Sequence, residues 1–303
     1  MQQQQEQQFE HAGPAGLDFE FSADDFTRVC RLIHAHAGIH LAHNKRAMVY
    51  SRLGRRLRKL QYSSFKDYLD RIDGGDTAEL GAFINALTTN LTYFYRETHH
   101  FEILREFVRN GGVPRDSTIW SAGGSTGEEA YSIAMVLAST ASAPARVGQI
   151  VASDIDTSVL EHAERGIYPA EQLKHVPSAE MKRFFLGGTG ENAGLVKVRP
   201  ELKRLVAFRQ INLHDSGWAV RTPVKAIFCR NVMIYFNANA RRAILERFGA
   251  LLEPGGLLFL GHAENVADMA NLFRPLGRTA YMRIERRGTR VVEAHIRAGG
   301  ADE

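Results

Sequence analysis

The 303-residue sequence predicts an α/β protein: a Rossmann-like, doubly wound, mostly parallel sheet, preceded by an all-α domain and interrupted by a small inserted β-hairpin. Three observations carry this. Residues 18–88 place apolar positions at helical spacing and hold no alternating strand. From Ile119 onward, short apolar runs alternate with helical ones, the pattern of a parallel sheet covered on both faces. Between the first such run and its helix lies a glycine-rich turn, WSAGGSTGEEAYS, from Trp120 to Ser132.

In the helical domain (18–88), Ser22 to Asp25 can cap a helix running through Phe26, Val29, Ile33 and His34. A second helix starts near Asn44 and gathers Val49, Leu53, Leu57 and Leu60 into one stripe. SSFKDYLDRI gives a third, capped by Ser63 or Ser64, and TAELGAFINALTT a fourth. In the second domain, predicted over 89–288, TIWSA is a strand and EEAYSIAMVLAST its helix. QIVASDI follows, then the helix TSVLEHAERGIY. VAFRQINL and AIFCRN are the next strands, ARRAILERFGALL is a helix, and GGLLFLGHAE is a fifth strand. FRPLGRTAYMRIERR closes the sheet with a hairpin. Segment 187–200, GGTGENAGLVKVRP, breaks the alternation, and its glycines and alternating LVKV predict the inserted hairpin. The polar, low-complexity start (1–17) and the end (289–303) are expected to be loosely ordered.

Composition narrows the class. Apolar residues make up 44%, enough for a substantial core. The net charge of +4 is a mild excess that makes acidic partners worth weighing without calling for nucleic acid. Cys30 and Cys229 stand far apart, which argues against a disulfide framework and for a reducing, cytoplasmic setting. The start lacks the basic-then-apolar pattern of a signal peptide. No run approaches the roughly 18 apolar residues that span a bilayer, so membrane insertion is not expected.

The glycine turn poses a chemical question. Gly123, Gly124 and Gly127 let backbone approach a ligand beside a helix N-terminus, as in phosphate loops. Neither the phosphate-loop nor the dinucleotide pattern is matched, and Glu128 and Glu129 stand where a phosphate would be repelled. Asp154, at the end of the second strand, is placed to accept hydrogen bonds from a ribose diol. A positively charged nucleoside without phosphate describes S-adenosylmethionine. The plain alternative is a pair of solvated glutamates favoured by the helix dipole.

Five stretches add to this: NLTYFYRETHHF (90–101), WSAGGSTGEEAYSIA (120–134), ASDIDTSVLEHAERGIY (152–168), FCRNVMIYF (228–236) and GGLLFLGHAENV (255–266). In order and spacing they resemble the chemotaxis receptor methyltransferase (CheR) family, from about residue 22 to 286, and MVYSRLGRRLRKL (48–60) resembles its helical domain. The resemblance implies a class I methyltransferase fold. It also implies transfer of methyl from S-adenosylmethionine to glutamate side chains of chemoreceptor cytoplasmic helices, giving methyl esters and S-adenosylhomocysteine. It places the cofactor against Asn90, Thr92, Arg96, Glu129, Asp154, Asn212, Leu213, Arg230 and Asn231, with Tyr235 near the transferred methyl. Arg96 and Tyr235 become the catalytic candidates, one orienting a carboxylate and the other donating a hydrogen bond at the reacting centre. A glutamate is already ionised at neutral pH, so neither a general base nor a metal is required. Many members read A-A-x-S-T-G-E-E-P at the loop. Gly123–Gly124 and Ala130 depart from that pattern, which should loosen the turn and lengthen the helix start.

Lys45, Arg46, Arg52, Arg55, Arg56, Arg58 and Lys59 fall in one stretch without an acid, and Arg52, Arg55, Arg56 and Lys59 share a helical face. A solvated face, nucleic-acid binding and docking on an acidic receptor helix all fit; the resemblance favours docking. It also implies that the 187–200 hairpin can pair with a receptor C-terminal peptide. HAHAGIHLAH gathers His34, His36, His40 and His43, but without an acid or cysteine nearby these are read as ordinary histidines. His99 and His100 are read as capping or packing. Two other functions compete. A nucleic-acid methyltransferase is disfavoured by RNVMIY where an N-P-P-Y-like motif would stand, and by Phe228 rather than proline before Cys229. A non-catalytic S-adenosylmethionine sensor is disfavoured by the Arg96–Tyr235 pair.

Overall fold

Local capping signals set the helical domain. The structure is a computed structural model that describes residues 19–140 and 148–285, so the predicted tails 1–17 and 289–303 lie outside the described residues. Ser22 and Asp25 close a capping box on α1 (Ala23–Ala37), and Gly38 ends it in the left-handed conformation. A turn of 3₁₀ helix, His43–Lys45, leads into α2 (Arg46–Leu60). Ser64, rather than Ser63, caps α3 (Phe65–Asp73), and Asp76 caps α4 (Thr77–Leu87). Val49, Leu53 and Leu57 of α2 are fully buried with Val29, Ile33, Phe65, Tyr68 and Phe83 in a separate apolar core.

A helix not anticipated from the sequence follows: α5 (His99–Arg109), buried through His100, Phe101, Leu104 and Val108. Then come β1 (Thr118–Ala122), α6 (Glu128–Thr140), β2 (Gln149–Asp154) and α7 (Thr157–Arg165). After the inserted region, β6 (Val206–Gln210), β7 (Val224–Cys229), α10 (Ala238–Leu251), β8 (Leu252–Leu260), β9 (Phe273–Gly277) and β10 (Ala280–Arg283) complete the domain. The seven strands lie in the order β6-β2-β1-β7-β8-β10-β9. Pairing is parallel from β6 to β8, and β10 runs antiparallel to both of its neighbours, β8 and β9. The predicted doubly wound sheet with its closing hairpin is therefore present. Because β1 has β2 on one side and β7 on the other, the strand order reverses there and a crevice opens past the strand ends.

The inserted hairpin is present as an antiparallel strand pair and is extended by a third strand. It is a three-stranded antiparallel sheet, β3 (Ile167–Pro169), β4 (Phe185–Gly187) and β5 (Leu195–Val198), in the order β3-β5-β4. Helix α8 (Ser178–Phe184) links β3 to β4, and α9 (Pro200–Lys203) leads out of β5. The subdomain thus starts at Ile167, about 20 residues before the predicted 187. The IY of TSVLEHAERGIY belongs to β3, because Gly166 (φ 64°) terminates α7.

The helical domain is seated on the sheet domain by polar contacts at its loops. Asn212 Nδ2 donates to His36 O (2.8 Å), and His40 N donates to Tyr235 O (2.8 Å). Thr88 Oγ1 and Asn90 Nδ2 both donate to Asp156 Oδ2 (2.9 and 2.8 Å), and Asp156 also caps α7. Gly38 (φ 69°) sits where a Cβ would stand 2.7 Å from His214 Nδ1 and 3.0 Å from Phe236. On α5, fully buried His100 donates from Nε2 to Arg278 O (2.9 Å), tying the helix to the β9–β10 turn. Burial, reinforced by the positive charge of Arg230, pushes its pKa down to about 3.

Gly38→Ala forces both a strained φ and a close contact, and is expected to destabilise the chain by about 1–2 kcal/mol. An unchanged urea-unfolding midpoint contradicts that reading. For His100, the unfolded chain takes up a proton near pH 6.5 and the folded one only near pH 3. Between those values the unfolded state binds more protons, so stability rises with pH and is lost on acidification. From pH 7 to pH 5 the loss through this residue is expected to be about 2 kcal/mol. His100→Gln, which cannot charge, should lose correspondingly less; equal losses in both proteins would show the histidine to be irrelevant.

Candidate functional site

At the carboxyl ends of β1, β2, β6 and β7 lies a crevice of about 500 Å³. All ten residues expected at the cofactor or the reacting centre line it: Asn90, Thr92, Arg96, Glu129, Asp154, Asn212, Leu213, Arg230, Asn231 and Tyr235. They come from separate stretches of the chain, so their convergence is a product of the topology.

The glycine turn is held tightly. The Gly123 and Gly124 amides both donate to Ser153 O at 2.8 Å. Gly123 has φ 83°, and a Cβ there would stand 2.4 Å from Val232 Cγ2. Gly127 (φ 97°) would drive a Cβ to 2.7 Å from Ala163 Cβ. The turn delivers the Ser125 amide to Asp154 Oδ2 (2.9 Å), while the Asp156 amide meets Oδ1 (3.0 Å). Two fixed N–H groups lock the carboxylate in place and leave one lone pair on each oxygen for a ligand. Burial pushes the Asp154 carboxyl up, against backbone N–H groups of Asp156, Ser125 and Ile155 that pull it back.

The two glutamates of the loop part company. Glu128 is buried away from the crevice, with Thr126 Oγ1 donating to its Oε2 (2.7 Å), so it does not rim the mouth as expected. Glu129 does face the crevice. Ser121 Oγ donates to its Oε1 (2.6 Å), and Arg230 Nη1 stands 3.2 Å from its Oε2. Burial pushes this carboxyl up and Arg230 pulls it back. Arg230 is itself buried at the end of β7, and it donates from Nη2 to Arg96 O. Arg96 forms no ion pair with Glu97 or Glu102. Its Nη1 donates to Leu91 O (2.8 Å) and its guanidinium lies 5.9 Å from the Tyr93 ring centre.

Several predicted residues also hold the walls. Asn90 braces Asp156, and its carbonyl accepts from Ser125 Oγ (3.0 Å). Asn212 bridges His36 O, the His214 amide and Asp215. Asn231 (φ 61°) donates its amide to Glu264 (2.9 Å). Tyr235 ends the 3₁₀ turn Met233–Tyr235, half-buried beside the helical domain.

Sequence reasoning missed that the helical domain helps form the crevice. Ile39, Leu41, Lys45 and Met48 line it, joined by Ile155 and Ile211 from the sheet domain. Ile39 and Leu41 lie just past α1 in a run without helical period, a signal of an apolar loop needing cover. The basic face of α2 is also less uniform than it reads. Arg56 forms a bidentate pair with buried Glu79 of α4 (2.5 and 2.6 Å). Arg52 donates to Leu87 O (3.0 Å) and Thr88 O (2.6 Å) at the end of α4. Arg55, Arg58 and Lys59 are exposed. His34 Nε2 stands 3.3 Å from Asn237 Nδ2. Among the described residues the one group of three close metal-type donors is Glu97, His99 and His100.

Comparison with known proteins agrees with this geometry. Residues 90–282 match the family described as CheR methyltransferase, SAM binding domain, and residues 24–88 match its all-alpha domain. The chain is 48% identical over 265 residues to chemotaxis protein methyltransferase 2 of Pseudomonas aeruginosa, covering 87% of this chain and 94% of that protein. It is 51% identical to the chemotaxis protein methyltransferase of Klebsiella aerogenes (84% of this chain, 88% of that one). It is 49% identical to that of Escherichia coli (84% and 89%). With both domains matched in order and about half of the residues identical to curated relatives over most of the chain, the chain belongs to the CheR methyltransferase family.

Proposed function

We propose that this chemotaxis methyltransferase forms glutamate methyl esters on the cytoplasmic helices of chemoreceptors. The observation that carries the reading is the distribution of charge in the crevice. Desolvated Asp154 and Glu129 lie deep within it, and Arg96 and Tyr235 line the same space. When bound, S-adenosylmethionine supplies a methyl on positively charged sulfur, which passes to a carboxylate oxygen as S-adenosylhomocysteine leaves.

The chain's residues have separable tasks. The free lone pairs of Asp154 accept the two ribose hydroxyls, while Ile155, Ile211 and Leu213 offer apolar walls for a base. Glu129 meets the ammonium, and Arg96 and Arg230 supply positive charge for a carboxylate. A glutamate acceptor arrives ionised, so no residue must first remove a proton. Anion meeting cation disperses charge in the transition state, and a water-poor crevice closed by the helical domain favours that. Tyr235 donates its hydroxyl to the acceptor carboxylate and fixes its line of approach.

Receptor docking falls to exposed Arg55, Arg58 and Lys59 of α2, with Arg52 and Arg56 anchoring that helix to α4. The β4 edge of the small sheet, with Leu186 exposed, suits addition of a receptor C-terminal peptide as a further strand.

The reading is tested with methyl-labelled S-adenosylmethionine and a receptor fragment with and without its C-terminal peptide. Base-labile label on the receptor is expected. Base-stable label on nucleic acid, or cofactor binding with no transfer, contradicts it. Tyr235→Phe should lower kcat roughly tenfold with little change in cofactor KM, and Asp154→Asn should weaken cofactor binding roughly tenfold. Arg55→Glu should raise the KM for receptor, more at low salt, without loss of stability. Arg56→Ala should instead destabilise the fold by about 3 kcal/mol, because it strands Glu79. Equal effects of the Arg55 and Arg56 substitutions on receptor KM, with no stability difference, would overturn this division of roles.

A further inference from the structure

Glu97 stands behind the wall of the crevice, not in it. Its side chain is 13% exposed, yet neither carboxylate oxygen has a hydrogen-bond partner among the described residues. Arg230 Nη2 lies 3.7 Å from Oε1, and the Nε of the same guanidinium is also buried and unpartnered. His100 Nδ1 lies 3.6 Å from Oε2, but its Nε2 carries the proton for Arg278 O, so Nδ1 faces the carboxylate as a second acceptor. Buried acceptors left without donors are costly.

The backbone adds to that cost. Glu97 has φ 56°, and Tyr95, two residues earlier, has φ 57°. Left-handed conformations at such residues cost of order 1 kcal/mol or more each, and persist only where the surroundings impose them. Here the surroundings are identifiable: the Tyr95 amide donates to Ser132 Oγ (3.0 Å), and Arg230 grips Arg96 O between the two strained residues.

Glu97, His99 and His100 place donor atoms within 4.8 Å of one another, a spacing that suggests a metal ion. The guanidinium of Arg230 already brings a positive charge to the same carboxylate and would repel a second cation. The cluster is better understood through Arg230, which stands between two carboxylates, Glu97 and Glu129.

We infer that Glu97 is a positioning residue for the cofactor pocket. Its carboxylate engages Arg230 from behind, so that Glu129 is not fully neutralised and keeps negative charge for the cofactor's ammonium. This rests on the cofactor reading given above. Without Glu97, Arg230 pairs with Glu129 alone and the ammonium loses its partner.

The test is calorimetric titration of the full chain with S-adenosylhomocysteine, which keeps the ammonium and carboxylate, alongside steady-state kinetics. Glu97→Gln is expected to raise the Kd for S-adenosylhomocysteine and the KM for S-adenosylmethionine about tenfold, leaving receptor KM and Tm nearly unchanged. Glu97→Gly relieves the strained φ, so its Tm should hold or rise while affinity falls as in the glutamine variant. Wild-type affinity in Glu97→Gln overturns the inference, as does a loss of affinity matched by a fall in Tm in both variants. Failure of the wild-type chain to bind S-adenosylhomocysteine would overturn the cofactor reading itself, and this inference with it.

Discussion

One buried guanidinium holds the site together. Arg230, at the carboxyl end of β7, reaches Glu129 at the start of α6, Glu97 behind the wall, and the carbonyl of Arg96 in the loop before α5. Those groups belong to two elements, α6 and the loop before α5, so a single charge fixes the distance between the end of β7, the start of α6 and the loop that carries Arg96 and Glu97. A buried pair of this kind contributes little net stability. Its consequence is geometric: the acids and bases of the crevice cannot collapse onto one another in arbitrary ways.

The second constraint is closure. An open parallel sheet offers a crevice at its switch point, but that crevice is wet unless something covers it. Here the helical domain does so. Its loop past Gly38 brings Ile39 and Leu41 over the strand ends; Asn212 holds the end of α1 at His36 O, and the Tyr235 carbonyl holds the loop at His40 N. The residue proposed to orient the acceptor is therefore also the backbone anchor of the lid. The proposed acceptor site thus depends on the seating of the helical domain.

Much of this was legible in the sequence because the relevant signals are local. Caps at Ser22 and Ser64 and the apolar TIWSA strand announce their elements. Asp154 could be placed because a polar residue ending an apolar strand must face the crevice. What could not be read were pairings across the chain. The acid-free run on α2 looked unpaired, yet Glu79, 23 residues beyond Arg56, supplies its partner. Glu128 and Glu129 are adjacent and chemically alike, but the 100° step of the helix turns one into the core and the other to the crevice. The small sheet was underestimated because its first strand, IYP, is only three residues long and follows directly on a glycine helix stop.

The central claim is that the crevice is built for a positively charged sulfur nucleoside, with acids where a nucleotide site would carry bases. Calorimetry with S-adenosylmethionine, S-adenosylhomocysteine and ATP tests it most directly. One-to-one uptake of the two sulfur compounds, with no heat from ATP, is the predicted result. Tight binding of ATP with no response to either sulfur compound would contradict the account.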